Sequence, residues 1–245
     1  MYEKEFQVRS YEVDLTGRVS PQTLLNYLQD AAGEHADRLG LSVTDLFRKG
    51  MTWVLSRYHV RFSAYPPVGQ RLRVQTWPSG RSGRFALRDF LVVDEQGRPV
   101  AAATSSWMVI SLETGRPVRL EEALPDYSVL ARRALEDDFS ALPKIEHPQG
   151  ETCFRVRMAD LDINRHVNNV IYAAWALESA PEHIMLEWRP ASIEIAFRSS
   201  ANYGDRVLSR VTALEEKGDP AFLHQLIHEG DGRELTRLRT QWRKL

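Results

Sequence analysis

The chain reads as an α+β protein built from two copies of one module, each a long helix wrapped by an antiparallel β-sheet. Three observations predict this: an internal repeat running the length of the chain, one helical run with apolar periodicity near the start of each copy, and several alternating segments divided by turn signals after each helix. Residues 6–35 (FQVRSYEVDLTGRVSPQTLLNYLQDAAGEH) align without a gap with residues 154–183 (FRVRMADLDINRHVNNVIYAAWALESAPEH). Phe6 falls on Phe154, Asp14 on Asp162, Tyr27 on Trp175 and His35 on His183. Later parts align at a slightly shorter offset, placing Gly69 on Gly204, Gly97 on Gly232 and Trp107 on Trp242.

Each copy is expected to open with a short strand, at 6–13 and 154–161. A helix follows at 20–39, where Leu24, Leu25, Leu28, Ala31, Ala32, Ala36 and Leu39 recur at helical spacing. Ser20-Pro21 supplies a cap and a first-turn proline, and Gly40 a stop. The second helix is expected at about 169–180, ending before Pro181. Alternating strands are expected at 53–64, 71–79, 84–94 and 100–112, then at 191–197, 206–214, 221–229 and 234–243. The turn signals PPVG, PSGRSG, EQG, NYGD, EKGD and EGDG separate them. A sheet with one apolar face must bury it, and wrapping it around one helix is an economical solution.

These signals divide the chain into an N-terminal module at 1–125, a linker at 126–150 carrying Pro143 and Pro148, and a C-terminal module at 151–245. Helical character at 129–139 (VLARRALEDDF) predicts a short helix in the linker.

Composition narrows the function. The chain is 43% hydrophobic and 27% charged with a formal net charge of −1, which argues against general nucleic-acid binding. No apolar stretch approaches the ~18 residues of a membrane span. The charged N-terminus shows no signal peptide, and Cys153 is the single cysteine, so a reducing compartment, the cytoplasm, is expected. The residues imply neither a metal nor an organic cofactor.

The chemistry concentrates in 160–178, DLDINRHVNNVIYAAWALE. Asp162, Asn164 and His166 alternate, so an extended segment places all three on one face. A carboxylate, an amide and an imidazole there suit activation of a water or polarisation of a carbonyl. The same letters also describe a helix start. Asn164 suits orienting a water or donating to an oxyanion, His166 suits proton transfer, and Asp162 suits holding either in place. The following helix N-terminus adds N–H donors. Copy one has Asp14, Thr16 and Arg18 at the matching positions, which leaves it to shape and binding. Cys153 has no His or Asn near it in the repeat frame, and Ser56 and Ser106 lack a nucleophile-elbow pattern. The matched His35 and His183 suggest a shared structural role.

A helix wrapped by an antiparallel sheet, duplicated, with D-x-N-x-H-V-N-N-x-x-Y at the start of the second helix, resembles the fatty acyl-ACP thioesterases, bacterial and plant plastid. The segments EVDLTGRVSPQTLLNYLQDAAGEHADRLG and WVLSRYHVRF resemble the first module of that family, and DLDINRHVNNVIYAAWALES its second. The resemblance implies a tandem (double) hot-dog fold and hydrolysis of a fatty acyl-acyl carrier protein thioester in fatty acid biosynthesis. It implies Asp162, Asn164 and His166 as catalytic residues, with the acyl chain in a tunnel lined by the first module. The family glutamate on the following strand falls on Ser200, so Glu194 or Glu178 is the expected substitute, unless Asp162 and His166 act alone. Rival readings are an acyl-CoA thioesterase of the same fold and a non-catalytic acyl-binding protein. On the last strand Arg237, Arg239 and Arg243 share one parity, and form an expected docking surface for acyl carrier protein, or else a solvated face. Monomer and homodimer both fit.

Overall fold

The computed structural model describes residues 1–215 and 218–244. Its contacts divide the chain into two units, Met1–Asp138 and Phe139–Leu245. In the first unit, β1 (Tyr2–Gln7), β2 (Met51–Phe62), β3 (Arg71–Ser82), β4 (Phe85–Asp94) and β5 (Pro99–Ser111) pair antiparallel in the order β1-β3-β4-β5-β2. In the second, β6 (Gly150–Arg155), β7 (Trp188–Phe197), β8 (Arg206–Ala213), β9 (Ala221–His228) and β10 (Glu234–Lys244) pair in the order β6-β8-β9-β10-β7. Strand for strand this is one topology, as the repeat requires.

Helix α1 (Pro21–Arg38) begins at Ser20, whose side chain accepts the Thr23 N–H, and stops before Gly40, held at φ 68°. Its buried face carries Leu24, Leu25, Leu28, Ala31 and Ala32 and packs on β3 and β1. Each fully buried leucine contributes about 1.5–3 kcal/mol. After the short helix α2 (Val43–Phe47) and, beyond β5, α3 (Leu120–Ala123), the second unit repeats the scheme with α4 (Asn169–Glu178) over β8, β9 and β10. Its cap is Asn168, the repeat partner of Ser20. The repeat extends to side chains: Phe6 stacks on Tyr27 at 4.2 Å between centroids, and Phe154 on Trp175 at 5.5 Å. Trp107 and Trp242 each donate the indole N–H to the hydroxyl two residues back, on Ser105 and Thr240.

Several expectations need correction. The opening strands lie earlier than expected, because a turn closes straight after each. Arg9 N–H binds Glu12 Oε2 and Arg157 N–H binds Asp160 Oδ2, each at 2.8 Å, drawing 9–12 and 157–160 out of the ladder. The second helix ends at Glu178, and the chain restarts as α5 (Glu182–Glu187) after Pro181. His35 is therefore buried near the end of α1 while His183 is exposed on another helix, so they share no role. Glu216 and Lys217 of the EKGD signal lie outside the described residues.

The expected linker helix at 129–139 is not formed. That stretch is irregular, with bends at 134–135, and its polar groups are spent on the first sheet instead. A cross-strand row of Trp77 (β3), Asp89 (β4), Thr104 (β5) and His59 (β2) receives it strand by strand. Trp77 Nε1 donates to the Arg132 carbonyl at 2.7 Å, and Asp89 accepts from Ala134 N and Arg133 Nε, both at 3.1 Å. Arg133 Nη2 reaches Thr104 Oγ1 at 2.8 Å, and His59 Nδ1 meets Asp137 Oδ2. Four strands span about 14 Å at ~4.8 Å spacing, and five extended residues reach about 17 Å. A non-helical strap can reach across that row; a helix rising ~1.5 Å per residue falls short of it.

Candidate active site

The segment carrying Asp162, Asn164 and His166 is a tight turn, not the extended run that alternation suggested. Leu161 bridges Val167, Asp162 N donates to the His166 carbonyl at 2.8 Å, and Arg165 N to the Asp162 carbonyl at 3.0 Å. The Asp162 carboxylate sits inside the turn. Its Oδ1 accepts Asn164 N at 2.8 Å and His166 N at 3.4 Å, and its Oδ2 accepts Asn164 Nδ2 at 3.3 Å. Local side-chain bonds of this kind compete with an extended ladder and win here. Asp162 is thus placed to position the turn, its carboxylate accepting three bonds from within it.

Copy one folds the same turn. Val13 bridges Val19, Asp14 N donates to the Arg18 carbonyl at 2.8 Å, and Asp14 Oδ1 accepts from Thr16 N and Arg18 N. The step that is Gly17 there, at φ 72°, is Arg165 here, at φ 62°. Left-handed backbone at a residue with Cβ is strained and concentrates at functional sites.

The turn is anchored to its surroundings. Asn168 N donates to the Asp160 carbonyl at 2.9 Å, and Asn168 Oδ1 accepts Val170 N at 3.0 Å to cap α4. Asp160 is buried. Burial opposes its charge, but the Arg157 side-chain and backbone N–H bonds outweigh that and hold its carboxyl below the usual range. Val167 N binds the Ala201 carbonyl at 3.1 Å, and Ala201 N binds the Tyr172 hydroxyl at 2.8 Å. Tyr172 is almost fully buried, and that burial pushes its phenol up to about 12. Sequence reasoning assigned Tyr172 no role; its place one helical turn after the Asn168 cap was the signal.

Asn164 is fixed in one sense. Its Nδ2 faces the Asp162 carboxylate, which leaves Oδ1 as the group turned away, buried and without a partner among the described residues. A buried orphan acceptor suits a donor such as a water. His166 is exposed beside it on the turn, two residues before the Asn168 cap.

The expected substitutes for the glutamate fare differently. Glu178 is exposed at the far end of α4, about 13 Å from its start at ~1.5 Å per residue, and is set aside as a base. Glu194 is half-buried on β7 and faces Arg239 at 3.7 Å. Ser200 does lie beside the turn: it precedes Ala201, and its carbonyl accepts Arg233 Nη2 at 3.1 Å. Cys153 is exposed on β6.

Of the three arginines expected to dock a carrier, Arg237 is corrected. It is only 3% exposed, its guanidinium held by Glu234 at 2.7 Å and by the Leu142 carbonyl, so it presents no surface. Arg239 and Arg243 are half-buried.

A duplicated helix-in-sheet fold with a carboxylate-pinned Asn-x-His turn leading into the second helix defines a double hot-dog thioester hydrolase. Two family models match the chain, the acyl-ACP thioesterase N-terminal domain over residues 1–127 and the C-terminal domain over residues 144–244. The chain belongs to the acyl-ACP thioesterase family. It is 31% identical to oleoyl-acyl carrier protein thioesterase 1, chloroplastic, of Arabidopsis thaliana, over 99% of this chain and 76% of the relative. It is 32% identical to the palmitoyl-acyl carrier protein thioesterase, chloroplastic, of the same plant, over 99% of this chain and 64% of the relative. Among solved structures it resembles the 12:0-ACP thioesterase from Umbellularia californica, with a TM-score of 0.86 and 26% identity over 100% of this chain and 94% of that one.

Proposed function

We propose that this chain hydrolyses the thioester of a fatty acyl-acyl carrier protein, with Asn164 and His166 as catalytic residues and Asp162 as the residue that positions them. The observation that carries the assignment is the orientation of Asn164. Its amide nitrogen is tied to Asp162, so its Oδ1 is available to accept a hydrogen bond from a water. Water held there attacks the thioester carbonyl while the His166 imidazole takes its proton. The positive end of the α4 dipole favours the oxyanion. Collapse of the tetrahedral intermediate breaks the C–S bond, and the proton passes from His166 to the leaving thiolate. The products are the free fatty acid and the carrier thiol. With Ser200 at the family glutamate position, His166 alone serves as the base.

The second unit carries this chemistry, and the first unit, whose turn has Thr16 and Arg18 in place of Asn and His, holds the acyl chain. Arg239 and Arg243 remain the proposed contact for an acidic carrier. A cytoplasmic setting is proposed from the lone cysteine; the plant relatives named above are chloroplastic.

Steady-state hydrolysis of a panel of acyl-ACPs and acyl-CoAs tests the reading. The expected result is turnover of acyl-ACP that falls about a hundredfold or more in His166→Ala and in Asn164→Ala. Faster turnover of acyl-CoA would move the substrate to the CoA thioester. Folded wild type without turnover on either carrier would favour an acyl-binding protein, which Ser200 gives reason to consider.

A further inference from the structure

Within the first unit, between α1 and the sheet, lies a cation with no anion beside it among the described residues. Arg88, on β4, is half-buried and its Nη1 bonds His35 Nδ1 and Thr76 Oγ1, both at 3.0 Å. Neither partner is negative. Burial first, then the charge of Arg88, pushes His35 down to about 4 and keeps it neutral. Among the described residues no carboxylate pairs with Arg88, and neither Nε nor Nη2 donates to a protein acceptor. Burying a guanidinium without a counter-ion is unfavourable, and burial pushes Arg88 down to about 10.

A second group stands in the same layer. Tyr58 (β2), Ser105 (β5) and Arg88 (β4) form one cross-strand row, so their side chains share the face turned to α1. Ser105 is small, and the two long side chains stand on either side of it in the row. The Tyr58 hydroxyl is buried and has no partner among the described residues. Burial pushes its phenol up while the charge of Arg88 acts the other way, which puts the two groups within electrostatic reach. Pro78 pairs with Arg88, and next to it Ser79, the extra residue of the β3 bulge, has a buried hydroxyl without a partner among the described residues. Among the described residues, Arg88 Nε–H and Nη2–H and the buried Tyr58 O–H are thus donors with no protein acceptor.

We propose that this polar layer receives an oxygen substituent (hydroxyl, oxo or carboxylate) on the distal part of the acyl chain, making oxygenated acyl chains the preferred substrates. The proposal rests on the reading that the first unit holds the acyl chain. An unsubstituted chain end would strip water from the guanidinium and the phenol and return no hydrogen bond. A site built to bond a substrate oxygen rejects the analogue lacking it far more strongly than an apolar pocket rejects an extra methylene.

The test compares kcat/KM on acyl-ACPs of matched chain length that are unsubstituted, terminally hydroxylated or terminally carboxylated, using wild type, Arg88→Met and Tyr58→Phe. The wild type is expected to favour one oxygenated chain by about tenfold or more. Whichever is favoured separates a neutral from an anionic substituent. Each variant should bring that ratio toward one. A wild-type ratio at or below one overturns the proposal, as does a ratio unchanged in both folded variants. If the wild type turns over no substrate, the hydrolase reading fails separately. Calorimetric binding of hydroxylated against unsubstituted fatty acids to the intact protein then decides: the same preference, lost in Tyr58→Phe, supports the proposal, and equal binding overturns it.

Discussion

Gly17 and Arg165 stand at the same step of the same turn, with φ of 72° and 62°. Only the second carries a Cβ, and a left-handed L-residue costs roughly 1–2 kcal/mol. Arg165→Gly is therefore expected to raise stability by about 1 kcal/mol, seen as a higher urea midpoint at unchanged slope, with no gain in turnover. A midpoint that stays put would mean that the turn carries no such strain.

Asp14 and Asp162 make matching bonds, but only one turn leads to Asn and His. Asp162→Ala frees the Asn164 amide and the His166 N–H, and turnover is expected to fall at least about a hundredfold. Asp14→Ala should lower stability by about 1 kcal/mol through lost hydrogen bonds and leave turnover within a few-fold. Equal loss of turnover in both variants would remove the distinction between the two copies.

Asp89 is fully buried and takes bonds from Arg133 and from Ala134. Removing one partner of such a pair leaves the other uncompensated, so Asp89→Ala is expected to cost about 3 kcal/mol in chemical denaturation. Loss below about 1 kcal/mol would show that the strap contributes little.

His224 is fully buried, its Nε2 2.9 Å from Thr240 Oγ1, and burial pushes it down to about 3. His35 is held near 4 for the same reason. Both folded values lie below the unfolded one of about 6.5, so the unfolded chain binds the extra protons as pH falls below that value. Stability should be level above pH 7 and decline from about 6.5 to 4.5, by up to roughly 1.4 kcal/mol per pH unit for His224. His224→Leu is expected to flatten that limb in denaturation curves taken between pH 7.5 and 4.5. An unchanged limb would place the acid sensitivity on other groups.

The duplicated topology was legible because the repeat carries its own periodicities: Ser20-Pro21 and Asn168 mark both helix starts, and alternation marks eight strands. The turn at 162–166 was legible in residue identity but not in shape. Alternation cannot distinguish an extended run from a turn whose N–H groups bond an Asp side chain. Residues 129–139 have helical propensity, but the polar row from Trp77 to His59, assembled from four distant strands, offers their backbone better partners. No local signal reports such a row. Arg88 was hidden for a similar reason, since its missing counter-ion is apparent only once the surrounding strands are in place.

The strap also sets an order of events during synthesis. The sheet of the first unit is encoded by residue 111, yet buried Asp89 lacks its arginine until residue 133 has left the ribosome. A chain elongating at roughly 5–20 residues per second leaves that carboxylate unmatched for a second or more. Over that interval the first sheet is a holding state, and translation through the segment behind it acts as the clock for its completion.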